Sequence, residues 1–205
     1  MHETSHSPRG PARRIVIIRH AETRWSRSGR HTSHTDLPLT PDGQARAATV
    51  RGALAVESFE WVFTSPLQRA RQTCELAGFG ACAEVRAELS EWDYGDYEGR
   101  TTAEIHQSAP GWSLWADGAP RGETPEHVGH RADRVIAELH TIAGSVAVFS
   151  HGHFSRVLAA RWIGLPVASG RSFLLATAAI GVLGWDRGMP VIERWNDDYH
   201  VRGVR

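Results

Sequence analysis

The sequence predicts an α/β fold with a largely parallel central sheet. Residues 15–18 and 146–149 are short runs of purely apolar residues, as is typical of strands that are buried on both faces. Strand patterns alternate with helix patterns along the chain, which indicates a parallel sheet covered by helices. The length of 205 residues suits one domain. We expect a flexible tail over residues 1–12 and a single domain over residues 13–205.

The first half of the chain is predicted to hold three strands and two helices. After the strand at 15–18, residues 21–39 show no strong periodicity and are expected to form a polar loop, which at this length is usually functional. Thr40 and Pro41 suit the N-cap and first position of a helix that runs to about residue 56. The remaining elements are a strand over 61–65, a helix from 66 to about 77 and a strand over 84–89.

The second half begins with an acidic and aromatic loop over residues 90–99, which contains two glycines. One or two short helices are expected within 101–115, and Thr124 begins a long helix with an apolar stripe that runs to about residue 142. The predicted elements that follow are a strand over 146–149, a helix over 154–163 and short strands over 173–176, 180–185 and 191–195.

The composition argues against several functional classes. Lys and Arg together number 23, as do Asp and Glu, so no overall basic field favours nucleic acid. No apolar run reaches the ~20 residues that span a bilayer, and the N-terminus lacks the core of a signal peptide. We therefore expect a cytoplasmic location and no membrane partner. The two cysteines make no disulfide framework, and the twelve histidines lack metal-binding spacing, so no metal or cofactor is predicted.

Both apolar strands end on a histidine. Arg19 and His20 follow the first strand, and His151 follows the later one. Because ligands of α/β sheets bind beyond the carboxyl ends of the strands, these side chains are expected at a substrate site. Two histidines with Arg19 and Arg69 suit a dianionic phosphoryl group, since a guanidinium can donate two hydrogen bonds to it. Glu91, in the acidic loop, is a candidate proton donor to a leaving alcohol.

These segments resemble the motifs of the histidine phosphatase superfamily, in its phosphoglycerate mutase-like branch. Arg19-His20-Ala21-Glu22-Thr23 resembles the Arg-His-Gly-Glu-Thr signature of that family. The other similar segments are its first loop, second motif, acid-bearing loop and late Ser-His-Gly motif, at residues 29–40, 65–73, 89–99 and 149–153. The resemblance spans about residues 14–166, and the motifs occur in the order of the family on the predicted elements.

The resemblance implies a three-layer sandwich, in which helices flank a mostly parallel central sheet, and one catalytic domain over residues 13–205. It implies a metal-independent phosphomonoester hydrolase that acts through a phosphohistidine on small phosphorylated metabolites such as sugar phosphates. His20 would be the nucleophile, Glu91 the proton donor, and the phosphoryl oxygens would be held by Arg19, Arg69 and His151. The further residues implied to bind phosphate or substrate are Thr23, Ser26, Arg30, Thr32, Ser33, Tyr94, Gly152 and His153.

Within the family, the loop over residues 91–99 is similar to that of actinobacterial broad-specificity acid phosphatases and fungal sedoheptulose-bisphosphatases. Phosphoglycerate mutases carry a longer, more basic insertion after this loop, whereas the only basic residues between 101 and 123 are His106 and Arg121. Hydrolysis is therefore favoured. A mutase-type phosphotransferase, a catalytically silent phospho-ligand binder and a phosphatase of protein phosphohistidine or phosphopeptides remain the alternatives.

The sequence departs from the family at three positions. Ala21 replaces the glycine that follows the catalytic histidine, and a positive φ at this position would strain an alanine. Ser26 and Ser33 replace an asparagine and a glycine of the first loop, so the phosphate contacts there are expected to differ. The apolar strands at the C-terminal end could complete a sheet edge or form a homodimer, and the sequence does not choose between them.

Overall fold

A computed structural model describes residues 13–202, so the tail predicted over residues 1–12 lies outside the described part of the chain. Six strands form one sheet: β1 (Ile15–Arg19), β2 (Trp61–Thr64), β3 (Ala83–Val85), β4 (Val146–Ser150), β5 (Ile180–Asp186) and β6 (Met189–Asp197). The helices are α1 (Arg24–Ser28), α2 (Pro41–Ala53), α3 (Gln68–Leu76), α4 (Thr102–Ser108), α5 (Leu114–Asp117), α6 (Pro125–Thr141) and α7 (Gly152–Trp162).

The sheet has the strand order β3-β2-β4-β1-β5-β6. The pairs β1–β4, β2–β4 and β2–β3 are parallel, and β5 pairs antiparallel with both β1 and β6. The predicted mostly parallel sheet is therefore confirmed, with an antiparallel hairpin at one edge. Among the described residues, no helix has the length and apolar character that a membrane crossing requires.

Strand β1 is buried on both faces, as its continuous apolar run predicts. Ile15 and Ile17 pack into a core that includes residues of α6 and α7, whereas Val16 and Ile18 pack into a second core with residues of α2 and α3. All four side chains are at most 1% exposed. Helices thus cover both faces of the sheet, which gives the expected three-layer arrangement.

The register of β1 and β4 brings the two histidine-bearing strand ends together. Arg19 lies opposite Ser150 in this parallel pair, and the amide of His20 donates to the Ser150 carbonyl at 2.9 Å. His20 and His151 therefore leave the sheet at the same edge.

Two of the predicted strands are wrong in part or in whole. The strand predicted over 84–89 occupies only 83–85, because its partner β2 ends at Thr64, and residues 87–89 form a 3-10 turn. Residues 173–176 form no strand. Their backbone groups bind side chains instead: Arg19 donates to the Leu175 carbonyl, and the Ala176 amide donates to the Asn196 side chain.

The helix boundaries shift by a few residues, and one helix is unexpected. Helix α2 ends at 53 rather than 56, α3 begins at 68 rather than 66, and α7 begins at 152 rather than 154. Helix α1 lies within the predicted loop. A capping box between Thr23 and Ser26 begins it, and Gly29 ends it in the left-handed conformation, which glycine adopts without strain.

Candidate active site

A cavity of about 240 Å³ opens where β1 and β4 end, at the edge of the sheet where the sequence predicts a ligand site. Most of its wall comes from the loops after β1 and from the acidic loop. The lining residues are Arg19, His20, Ser26, Gly29, Arg30, His31, Thr32, Glu91, Tyr94, Thr102 and His153.

His20 is held in one tautomer. Its Nδ1 lies 2.7 Å from the carbonyl oxygen of Ala21, a group that can only accept, so Nδ1 carries the hydrogen and Nε2 keeps its lone pair. Burial first, and then the positive charges of Arg69 and Arg19, hold the pKa of His20 well below its usual value. A buried, neutral imidazole with a free Nε2 is suited to nucleophilic attack.

Ala21 occupies the position after His20 without strain. It is fully buried and is not among the non-glycine residues with a positive φ. Its amide donates to the Thr73 hydroxyl at 3.0 Å, which ties the loop to α3. The glycine of the family signature is therefore not required for the backbone conformation of this chain.

Arg19 and Arg69 are fixed by backbone carbonyls. Arg19 Nη1 donates to the Leu175 oxygen at 2.6 Å. Arg69 Nη2 donates to the Thr32 oxygen at 3.0 Å, and its Nη1 donates to the Thr35 oxygen at 3.3 Å. Arg69 is fully buried and lies behind the cavity wall. The carbonyls of the loop after β1 fix the position of its guanidinium.

His151 is also fully buried and lies off the cavity wall. Its ring centre is 5.2 Å from that of His20, and its Nε2 lies 2.7 Å from the Ser65 hydroxyl. Burial, reinforced by Arg69 and His20, keeps the pKa of His151 well below its usual value. If the Ser65 hydroxyl donates to Nε2, the hydrogen of the neutral ring lies on Nδ1.

The residues around His20 carry three buried nitrogens without hydrogen-bond partners among the described residues: Nε of Arg19, Nε of Arg69 and Nδ1 of His151. Buried polar groups are ordinarily paired, and each exception calls for an explanation. Both guanidiniums act electrostatically on both histidines. The arrangement provides N–H donors and positive charge for an anion beside Nε2 of His20.

Glu91 lies at the start of α7. Its Oε1 accepts from the amides of Trp92 and Phe154 at 2.9 and 2.8 Å, and its Oε2 accepts from the His153 amide at 3.1 Å. The side chain is buried yet reaches the cavity. Two amides of the α7 N-terminus are thus used to orient the carboxyl group.

Gly152 contributes through its lack of a side chain. A Cβ at this position would lie 3.1 Å from Cζ and Nε of Arg19, closer than normal packing allows. The glycine therefore lets the guanidinium of Arg19 lie against the first turn of α7.

Three residues implied to bind phosphate have other partners. Thr23 accepts from the Ser26 amide as the cap of α1, and Ser33 donates to Glu98 at 2.6 Å. Neither lies on the cavity wall, and neither has a buried polar atom without a partner, unlike Arg69 and His151. Arg30 does lie on the wall, but its guanidinium makes two 3.1 Å contacts with the carboxylate of Glu104. Ser26 and Thr32, by contrast, do line the cavity.

The outer wall contains polar aromatic side chains. The Tyr94 hydroxyl lies 2.7 Å from Nδ1 of His153, and the His31 ring is 4.7 Å from Tyr94 and 5.9 Å from His153. Thr102 Oγ1 lies 3.3 Å from His31 Nε2. Gly29, His31 and Thr102 had no predicted role. His31 lies between two residues implied to bind phosphate, Arg30 and Thr32, and this position could have indicated a role in the site. Thr102 could not be found in this way, because it is 71 residues away from His31.

The fold is a helix-covered α/β sheet, and at its edge two buried histidines lie with Arg19 and Arg69 beside a small cavity. The chain belongs to the histidine phosphatase superfamily (branch 1), whose family model matches residues 15–198. It is therefore a histidine phosphatase, as the sequence motifs imply. In the described residues, no group of three or more His, Cys, Asp or Glu side chains could hold a metal ion.

Individual relatives agree with this assignment. The chain is 41% identical over 181 residues to an acid phosphatase of Mycobacterium tuberculosis, covering 86% of this chain and 88% of the relative. It is 37% identical over 186 residues to sedoheptulose 1,7-bisphosphatase of Saccharomyces cerevisiae, with 75% and 69% covered. A solved structure of an open reading frame product from Mycobacterium tuberculosis has a TM-score of 0.86 at 39% identity, with 90% and 97% covered.

Proposed function

We propose that this chain hydrolyses phosphate monoesters of small metabolites through a phosphohistidine on His20, without a metal ion. The observation that carries the proposal is the set of three buried, unpartnered nitrogens on Arg19, Arg69 and His151, grouped around an imidazole that is held neutral. Fixed donors and charges of this kind stabilise the oxygens of a transferring phosphoryl group.

In the first step, Nε2 of His20 attacks phosphorus and the bond from phosphorus to the ester oxygen breaks. Arg19, Arg69 and His151 bind the phosphoryl oxygens, and the hydrogen on Nδ1 of His20 stays there, donated to the Ala21 carbonyl oxygen. Protonated Glu91 gives its proton to the departing oxygen, so that an alcohol leaves. The carboxyl group is on the cavity wall, and three backbone amides orient it for this transfer.

In the second step, water enters the site of the departed alcohol and attacks the phosphohistidine. Glu91, now ionised, takes a proton from this water. The phosphorus–nitrogen bond breaks, inorganic phosphate leaves and His20 is neutral again. The same carboxyl group thus acts as acid and then as base.

The part of the substrate beyond the phosphate would lie against Tyr94, His153, His31, Ser26 and Thr32, the outer wall of the cavity. These groups offer hydroxyl and imidazole partners to a hydroxylated leaving group, and the volume of about 240 Å³ suits a small molecule. The named activities of the relatives, acid phosphatase and sedoheptulose 1,7-bisphosphatase, support a small phosphorylated substrate.

Net hydrolysis is favoured over a mutase-type transfer by the state of Arg30. A mutase must bind a second phosphate, yet the Arg30 guanidinium on the cavity wall already pairs with Glu104.

The cytoplasmic location, the single catalytic domain over residues 13–205 and the homodimer stay predictions. Sedimentation of the purified protein tests the homodimer.

The test is phosphate release from a panel of monoesters in the presence of a chelator, together with quenching in alkaline denaturant to trap the phosphoenzyme. We expect chelator-resistant release, and a phosphoenzyme that is labile in acid and stable in alkali. His20→Ala should abolish both signals, whereas His127→Ala, an exposed position on α6, should change neither. Release that persists in His20→Ala, or that stops with chelator, would overturn the proposal.

A further inference from the structure

Beyond the residues that touch the cavity, an ion pair between Arg131 of α6 and Glu123, which precedes this helix, holds the loop that carries Glu91. We propose that Arg131, locked by Glu123, is a positioning residue for the general acid. This inference rests on the proposed function, because it concerns the proton that Glu91 delivers to the leaving group.

Arg131 uses all five of its N–H donors. Nη1 donates to the carbonyl oxygens of Glu88 and Ser90, both at 2.7 Å, and Nη2 donates to the carbonyl oxygen of Glu91 at 3.2 Å. Nε and Nη2 also bind the two carboxylate oxygens of Glu123 at 2.8 and 2.7 Å. A guanidinium has five donors in a rigid fork, so its hydrogen-bonding capacity is exhausted by this loop and Glu123.

Glu123 attaches a second segment to the same loop. Its Oε2 accepts from the Asp93 amide at 3.0 Å, its own amide donates to the Asp93 carbonyl at 2.9 Å, and its carbonyl accepts from the Trp92 indole at 2.9 Å. The backbone is therefore clamped on both sides of Glu91, at Ser90 by Arg131 and at Asp93 by Glu123.

Arg131 also contacts Phe154, whose backbone amide donates a hydrogen bond to the carboxyl group of Glu91. The Arg131 guanidinium lies 4.3 Å from the centre of the Phe154 ring, and the Phe154 amide donates to Oε1 of Glu91. One guanidinium thus contacts both the peptide that carries the carboxyl group and the residue that orients it. The pair is mostly buried, with side-chain exposures of 12% for Arg131 and 21% for Glu123, so solvent competes little for these hydrogen bonds.

Lysine cannot replace this arrangement, because its ammonium is a point donor and not a planar fork. Arg131→Lys keeps the charge but loses simultaneous contact with the three carbonyls. The carboxyl group of Glu91 is then expected to lose its alignment with the leaving oxygen. The side chains proposed to bind the phosphoryl oxygens, Arg19, Arg69 and His151, should stay in place. Glu123→Gln should act in the same direction through the amide of Asp93.

The experiment compares two phosphate esters that differ in their need for an acid. p-Nitrophenolate is a weak base and leaves without protonation, whereas the alkoxide of an alkyl phosphate such as glycerol 2-phosphate needs a proton. The quantity measured is kcat/KM, which covers the step in which the leaving group departs. We expect Arg131→Lys to lower it about tenfold for the alkyl ester and less than about threefold for p-nitrophenyl phosphate, a part of the ~10²–10⁴ that general acid catalysis contributes.

Glu91→Gln is the reference variant, because it removes the acid itself. Its loss of kcat/KM should be larger for the alkyl ester than for p-nitrophenyl phosphate, and this difference should exceed that of Arg131→Lys. The matched control is Arg161→Lys, because Arg161 makes a two-point ion pair with Asp133 between α7 and α6 away from Glu91. It should leave the ratio of the two substrates unchanged. If Arg131→Lys does not fold by circular dichroism, Glu123→Gln takes its place.

Equal losses for both esters, or no loss for either, in Arg131→Lys and Glu123→Gln would overturn the positioning role. That result is distinguishable from failure of the proposed function. If the wild-type protein releases no phosphate, or if Glu91→Gln shows no selectivity for the alkyl ester, the reaction itself is wrong.

Discussion

Gly152→Ala is expected to displace the Arg19 guanidinium from the proposed phosphate site while leaving the protein slightly more stable than before. Gly152 is the first residue of α7, and the added Cβ would lie 3.1 Å from Cζ and Nε of Arg19 and 3.4 Å from its Nη2. The guanidinium must give way by a few tenths of an ångström, and its freedom to do so is limited by the 2.6 Å hydrogen bond to Leu175.

The expected cost to activity is about tenfold in kcat/KM, or about 1.4 kcal/mol of transition-state stabilisation. This figure lies below the ~10²-fold loss that a misplacement of 1 Å can cause in an active site, in keeping with a smaller shift of Arg19. Stability should change in the opposite sense, because replacing glycine by alanine at a compatible φ contributes about 0.4–1 kcal/mol through the unfolded state. The close contact with Arg19 offsets some of this gain.

Gly52→Ala is the matched control. Gly52 lies in α2, and a Cβ built there meets nothing within 4 Å. This variant should gain stability and keep full activity. Steady-state kinetics with one phosphate ester, the inhibition constant of vanadate and thermal unfolding of both variants make up the assay. The reasoning is refuted if Gly152→Ala keeps kcat/KM within about twofold of Gly52→Ala, or if its loss of activity follows a loss of folded protein.

Two further predictions concern the cavity wall. Burial lowers the pKa of His31 to about 4. As the pH falls below about 6.5, His31 becomes protonated in the unfolded chain but stays neutral in the folded chain, so the free energy of unfolding decreases. Thermal denaturation at pH 7 and pH 5 should show a smaller acid loss in His31→Gln than in the wild type, and equal losses would contradict the lowered pKa. Glu104→Gln removes the carboxylate partner of Arg30 and should improve the KM for a sugar bisphosphate relative to the monophosphate by up to about fivefold, the range of a partly exposed charge pair. An unchanged KM ratio would mean that Arg30 does not reach a second phosphate.

The position of the site could be predicted because its signal is local. Continuous apolar residues mark β1 and β4 as central strands, and the rule that ligands bind beyond the carboxyl ends places His20 and His151 at one edge. The sequence could not reveal that the two strands are neighbours with Arg19 opposite Ser150. That pairing turns two separate strand ends into one site.

Partners that lie far apart in the chain could not be predicted. Glu91 is oriented by Phe154, 63 residues away, and Arg30 is bound by Glu104, 74 residues away. Periodicity and capping patterns report on neighbours within a few residues, so they are silent on such contacts. The family motif placed Ser33 on the phosphate, whereas in this chain its hydroxyl faces Glu98.

The adjacency of Arg19 and His20 has a physical reason in the proposed reaction. A phosphate dianion that approaches a histidine favours the protonated imidazole, which cannot attack. Burial and the guanidiniums of Arg19 and Arg69 act against this, since all three lower the pKa of His20. In the proposed reaction, the same guanidiniums would also bind the phosphoryl oxygens, whose negative charge otherwise favours protonation of His20. Arg19 and Arg69 would therefore keep His20 neutral and also bind the phosphoryl group that it attacks. Both effects require the guanidiniums to lie within a few ångströms of the imidazole.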